Sequence, residues 1–428
     1  MRSGLLIITT FSNGALSADQ WMWHGSFPWI YSHEDQEWTY WRTGKDGRFY
    51  KWAQSSGGWK IFNDGEGLWQ NLMAPDLNSS KWEAWENDPI PYGGTFTLEK
   101  IKNVILSSQA YLDLSYQKIT DLSPLREATH LRELYLQANE VSDLSPLQSL
   151  TGLEVLNLNS NEISNIEPLR NLLELKELYL DDNLLTDLSP LSGLVRLLKL
   201  SLSDARVQSV DSLVDLRQLM DLNLRANSIT TVQPLAGLNK LKFLDLGNNK
   251  VSDLSPLANM NELSVFYGED NNLTNVTGIS GLFGLKELNL ANNQISSIAD
   301  FSSMESNRSY LWLADFSQND LSGIDGLEKL GNLRILSLSQ NRIADLSPLA
   351  AMGELSTLLI DYNDISDLSP LQNLPKLRGL YANNNSVKDH PSVDEMTQLF
   401  ELYLYDNNIS DARKNLIQQA LPNVKLEL

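Results

Sequence analysis

The sequence predicts an α/β solenoid, a stack of short strands and turns wound into a continuous coil. Two observations carry this prediction. The pentapeptide "DLSPL" occurs six times, starting at residues 121, 143, 187, 253, 345 and 367. The successive starts are multiples of 22 residues apart, except one interval of 92, which is four repeats plus four residues. A fixed period of this size marks a chain built from stacked supersecondary units, none of which can bury its apolar side alone.

In that register the unit reads L-x-x-L-x-L-x-x-N-x-[IVL]-x-[DNST]-[LIV]-x-P-L-x-x-[LM], as in "LRELYLQANEVSDLSPLQSLTG" from Leu131 to Gly152. The L-x-L core places two leucines on one side of a short strand and the residue between them on the other. Stacked units then pair their strands in parallel, while the leucines fill one core. The ninth position is Asn in twelve of fourteen units: Asn139, Asn161, Asn183, Asn227, Asn249, Asn271, Asn293, Asn319, Asn341, Asn363, Asn385 and Asn407; Gln117 and Ala205 are the exceptions. An Asn leaving each strand can bond the backbone of neighbouring turns, so these residues are expected to form a structural ladder. "DLSPL" falls on the opposite, convex side. There Pro fixes φ, Asp and Ser bond locally to the backbone, and the flanking leucines point inward. The variants "NIEPL", "TVQPL" and "SIADF" keep the apolar positions, as packing requires and a catalytic motif would not.

These repeats resemble the leucine-rich-repeat family in its 22-residue class, which includes the bacterial internalins and the leucine-rich regulatory subunit of protein phosphatase 1. The resemblance covers roughly residues 106–428. It implies a parallel sheet on the concave face, 3-10 or extended turns on the convex face, and a concave surface that grips a partner protein. The expected organisation is a signal-like segment (1–18), a Trp-rich β-module (19–86), a linker and N-terminal cap (87–108), the repeats (109–411) and a C-terminal cap (412–428). One unit has 26 residues, with its insertion expected as a surface loop around "MESNRSY" (304–310).

With leucine and Asn committed to the scaffold, recognition is left to the strand positions that face outward. Their residues are aromatic and acidic: Tyr135, Glu177, Tyr179, Asp181, Asp221, Asp245, Tyr267, Glu269, Tyr381, Tyr403 and Tyr405 are the candidate partner-binding set. Tyrosine on a rigid sheet buries area at low entropic cost and suits protein recognition, although it also covers a sheet well for purely structural reasons. At roughly 4.8 Å per strand, fourteen units give a face about 60–70 Å long, suited to a protein and oversized for a metabolite.

The N-terminal part differs in composition. Ten of eleven Trp residues lie between positions 21 and 85, in short aromatic alternations punctuated by "TGKDGR" and "SSGG". That pattern predicts a meander of antiparallel strands. Trp21, Trp23, Trp29, Trp38, Trp41 and Trp52 could stack on sugar rings of a glycan or cell wall; the same rings could instead supply the core of a small module.

Composition excludes several classes. The 428 residues carry 33 Lys+Arg against 54 Asp+Glu, a net charge of −21, with no basic run. Nucleic-acid binding needs clustered positive charge and is not expected. Cysteine is absent, which removes disulfides, thiolate nucleophiles and Cys-ligated zinc. His24, His33, Glu34 and Asp35 match no closed zinc spacing. There is no nucleophile elbow, phosphate loop or H-E-x-x-H, so no catalytic, cofactor or metal residue is assigned. The N-terminal "MRSGLLIITTFSNGALSADQ" joins a basic residue, a short apolar run and small residues, as a secretory signal does. No apolar stretch reaches membrane-spanning length. The expectation is a non-enzymatic, monomeric protein-recognition scaffold, secreted or on the cell surface; carbohydrate attachment through the Trp-rich module and an intracellular regulatory subunit are the alternatives.

Overall fold

The computed structural model describes residues 80–303, 310–388 and 391–428, together with the backbone of six strands between residues 21 and 71. The signal-like segment, the four residues of the candidate metal cluster and residues 304–309 of the insertion lie outside the described residues, as do the side chains of the six candidate glycan-stacking tryptophans. The strands β1 (Trp21–Trp23), β2 (Trp29–Ser32), β3 (Glu37–Thr43), β4 (Phe49–Ala53), β5 (Gly58–Asn63) and β6 (Leu68–Asn71) form one antiparallel sheet in chain order. Aromatic positions meet across this meander: Trp29 is the backbone partner of Tyr40, and Trp52 that of Trp59.

Two helices follow. α1 (Ser80–Asn87) and α2 (Thr95–Ser107) close the N-terminal end of the solenoid. In α2 the buried Leu98, Ile101, Val104 and Ile105 recur at helical spacing and give it one apolar face. Trp82 of α1 is only 2% exposed and belongs to the same hydrophobic cluster as the first leucines of the repeats, with its ring 4.9 Å from that of Trp85. A Trp that the composition groups with the β-module thus works in the cap. Between the helices, Gly93 adopts φ +82, where a Cβ would stand 2.9 Å from Gln117 Cβ; a left-handed turn and a close approach both require glycine here.

Beyond α2, fifteen three-residue strands run from β7 (Tyr111–Asp113) to β21 (Lys425–Glu427) in a single parallel sheet whose spatial order is the chain order. Partners are in register, so Leu178 lies beside Leu156 on one side and Leu200 on the other. The centre of every strand between the two terminal ones is apolar and buried, and these residues join the inward leucines of the convex turns in one continuous core. This is the solenoid class expected from the sequence. At the C-terminal end, α3 (Asp411–Ala420) is capped by Ser410, whose side chain accepts from Arg413 N; Asp411 is the first helical residue. Arg413 is 8% exposed and forms a two-pronged ion pair with Asp394, at 2.8 Å to each oxygen.

Most of the convex turns are 3-10 segments, such as Ser145–Ser149 with Pro in its first turn. In "DLSPL" the Asp carboxylate accepts from the Ser backbone N–H and, in every copy but that of Asp121, from its hydroxyl, as Asp143 does from Ser145 at 2.8 Å for each bond. The variants keep this acceptor while changing its chemistry. Asn165 accepts from Glu167 N, Thr231 from Gln233 N, and Ser297 from Ala299 N. The first position of the pentapeptide is therefore constrained to a residue that caps the turn; the departure among the described repeats is Gly323.

Candidate recognition face

Two sets of polar residues share the edge where each strand ends, and their hydrogen bonds separate them. All twelve ninth-position Asn residues bond in one pattern. The side-chain oxygen accepts from a backbone N–H of the preceding repeat, and the side-chain nitrogen donates to a carbonyl of its own repeat and of the preceding one. Asn249 is typical: it accepts from Ile229 N at 3.0 Å and donates to Leu224 O at 2.9 Å and Leu246 O at 3.0 Å. The pattern continues through the 26-residue unit, where Asn319 accepts from Ile295 N and donates to Leu290 O.

The two exceptions depart from the ladder in the backbone as well. Where Ala205 replaces Asn, its own carbonyl accepts from Leu185 N at 3.0 Å, and the next residue, Arg206, takes φ 61. After Gln117, Lys118 likewise takes φ 58. Each departure from Asn thus coincides with a second left-handed residue. The first left-handed residue is general. All fourteen eighth-position residues, from Tyr116 to Asp406, have φ between 48 and 61, and none is Gly. Seven of the fourteen are Asn or Asp, the residues that tolerate this conformation best.

Several candidate binding residues point their polar atoms into this framework. Asp181 accepts from Ser203 N at 2.7 Å and from the Asn159 amide at 2.9 Å, so its carboxylate ties three repeats together. Asp245 is 7% exposed and accepts from Gly247 N at 2.8 Å; burial raises its carboxyl above the usual Asp range. Glu269 pairs with Arg225, whose guanidinium lies 3.8 Å from Asp245. The other Glu269 oxygen is buried with no hydrogen-bond partner.

The remaining candidates stand outward, and the tyrosines share one arrangement. Tyr135 donates to Glu133 at 3.4 Å, Tyr179 to Glu177 at 2.7 Å, Tyr267 to Glu287 at 3.1 Å, and Tyr381 to Glu401. Each glutamate occupies the third position of the same unit or the next. The hydrogen bond to Glu401, then burial, pushes the Tyr381 hydroxyl up to about 12; burial and then Glu177 raise that of Tyr179 further. Reciprocally, the Tyr381 hydroxyl holds the Glu401 carboxyl below its usual range. Tyr381 and Tyr403 are stacked, with centroids 4.9 Å apart and planes at 17°. Lys425 sits 5.1 Å over the Tyr403 ring and 3.6 Å from Glu401. Asp221 is half-exposed on its strand, and Tyr405, at 57% exposure, stands at the exit from the next-to-last one. The triplet "ELY" at 133, 177 and 401 was the available sign of these glutamate partners; a search by single columns passes over it. Phe400, 65% exposed beneath Arg378 at 5.2 Å, is a further aromatic that the strand columns leave out. Among the described residues, no three His, Asp or Glu side chains converge as metal ligands.

Comparison with known proteins agrees with this geometry. Models of leucine-rich repeats match residues 129–171, 151–193 and 217–259 (two-copy form) and 284–304 (single repeat). No curated protein sequence matches the chain. Among solved structures, the internalin inlF of Listeria monocytogenes is 28% identical with a TM-score of 0.67, over 77% of this chain and 93% of that one. A leucine-rich-repeat protein of Leptospira interrogans is 22% identical with a TM-score of 0.62, over 77% and 98%. A plant peptide hormone receptor, RGFR1, in complex with RGF2 is 19% identical with a TM-score of 0.54, over 76% and 63%. The matched repeats fall in the register defined by the ninth-position Asn, and the likeness to inlF extends well beyond them: this chain is a leucine-rich-repeat protein of the internalin-like class.

Proposed function

We propose that the chain is a non-enzymatic recognition scaffold that holds a protein partner against the concave face of its parallel sheet. The observation that carries this reading is the division of labour among the strand residues. Leucine, the ninth-position Asn and the inward carboxylates complete the coil, whereas Tyr135, Tyr179, Tyr267, Tyr381 and Tyr403 stand on rigid strands and contribute nothing to its interior. Large amphipathic rings fixed in place are what a protein interface uses as anchors. The same solenoid serves a plant peptide hormone receptor in its complex with RGF2. Action as a monomer is part of the proposal, as is a place outside the cytoplasm or at the cell surface, which the signal-like N-terminus supports; N-terminal sequencing of the mature protein checks the location, since an intact Met1 argues against export.

The test is a partner-capture assay with Tyr179→Ala, Tyr381→Ala and Tyr403→Ala combined. Capture should be lost while circular dichroism and the unfolding midpoint stay close to those of the parent. Undiminished capture would show that the partner does not use this face.

A further inference from the structure

The Tyr–Glu arrangement says more about the partner than its size does, and the following inference rests on the concave-face reading above. A glutamate whose carboxylate is held by a tyrosine hydroxyl, beside an aromatic ring, combines a fixed negative charge with a π face. Both attract a cation. The chain itself shows this use once in full and once for the carboxylate alone. Lys425 lies over Tyr403 and against Glu401, and Lys199 Nζ lies 3.6 Å from Glu177, which also takes the Tyr179 hydroxyl. In both cases the lysine stands beside the glutamate on the next strand.

The two other pairs, Glu133 with Tyr135 and Glu287 with Tyr267, have the same hydrogen bond, yet neither glutamate forms an ion pair with any described residue. The unit after Glu133 offers Val155 at the equivalent position, and the unit after Glu287 offers Leu313. Around them the face is acidic: twelve carboxylates occupy the third, fifth and seventh positions against Lys199, Arg225 and Lys425. We infer that the concave face binds a basic segment of a partner protein, whose lysine or arginine side chains dock on Glu133–Tyr135 and Glu287–Tyr267 as Lys425 docks on Glu401–Tyr403. Seven strand steps separate Glu133 from Glu287, about 34 Å at 4.8 Å per step. An extended segment of about ten residues covers that distance.

The probe is a fluorescein-labelled twelve-residue peptide of alternating Arg and Ser, titrated with the full chain at low salt and followed by anisotropy; the Glu–Ser peptide of equal length is the control. Binding of the basic peptide alone is expected. Glu133→Gln with Glu287→Gln should weaken it by about tenfold or more. Asp143→Asn with Asp253→Asn, the same charge change on the convex side, should alter it by less than about twofold. Equal weakening by both pairs would reduce the effect to net charge and overturn the inference, as would failure of the parent chain to bind. If the peptide does not bind while the triple tyrosine variant still loses its captured partner, the basic-partner inference falls and the concave-face reading stands. Undiminished capture by that triple variant overturns the reading itself.

Discussion

The convex and concave sides of this solenoid are written in different ways. On the convex side one pentapeptide recurs verbatim, and where it varies the capping acceptor is retained in every described unit but that of Gly323: Asp143, Asn165, Thr231 and Ser297 all hold the equivalent backbone N–H. On the concave side the outward strand residues change from unit to unit, from Tyr179 to Ser201 to Asn223, while the backbone beneath them repeats. Repetition marks the residues that the coil needs in every turn. Variation marks those it can release for recognition.

The sharpest way to break this contrast is to remove a repeated residue from the inner edge. Asn249→Ala deletes bonds to four backbone groups of two repeats, all buried, and should cost about 2–4 kcal/mol in denaturant unfolding. A loss no greater than that of a surface substitution would refute the ladder as a structural device. Next in size is a substitution at an exposed position that the coil nevertheless constrains. Ser160, at φ 54, should lose about 1–2 kcal/mol on change to Val, whereas Ser160→Asn should be nearly neutral. The concave face should respond less: Tyr179→Phe forfeits one hydrogen bond to Glu177, about 0.5–1 kcal/mol, with no change in far-ultraviolet dichroism.

The smallest effect belongs to the convex caps and is read from the pH dependence of stability. Hydrogen bonds from Ser189 and Ser347 lower the Asp187 and Asp345 carboxyls below their ordinary value. A lowered carboxyl stabilises the fold above its unfolded pKa, and this contribution disappears as pH falls through the folded one. Asp187→Asn with Asp345→Asn should therefore lower the melting temperature slightly in the neutral range and flatten its decline below about pH 4. An unaltered acid limb would remove these caps from the account.

Much of the fold was legible because its signal is arithmetic. The 22-residue spacing set the register, L-x-L set the strand, and the ninth-position Asn set the turn. Less of the candidate face could be read. Column by column, Asp181, Asp245 and Tyr179 look equivalent; whether a side chain turns inward depends on the unit beside it, as Ser203 N does for Asp181 and Gly247 N for Asp245. The helix α1 was missed because Trp82 and Trp85 carry the composition of the preceding sheet, although burial joins Trp82 to the solenoid. The left-handed eighth position also escaped notice, since Ala138, Gln318 and Tyr362 are not residues that announce such a backbone.

That eighth position has a consequence for how such a surface can change. A left-handed backbone is hostile to side chains branched at Cβ, and no Val, Ile or Thr occupies any of its fourteen sites. The coil thereby restricts the alphabet available along one margin of the face before any ligand exerts its preference. New specificities can be spelled there with amides, carboxylates, small residues or tyrosine, and each new letter arrives in the same orientation as the one it replaces.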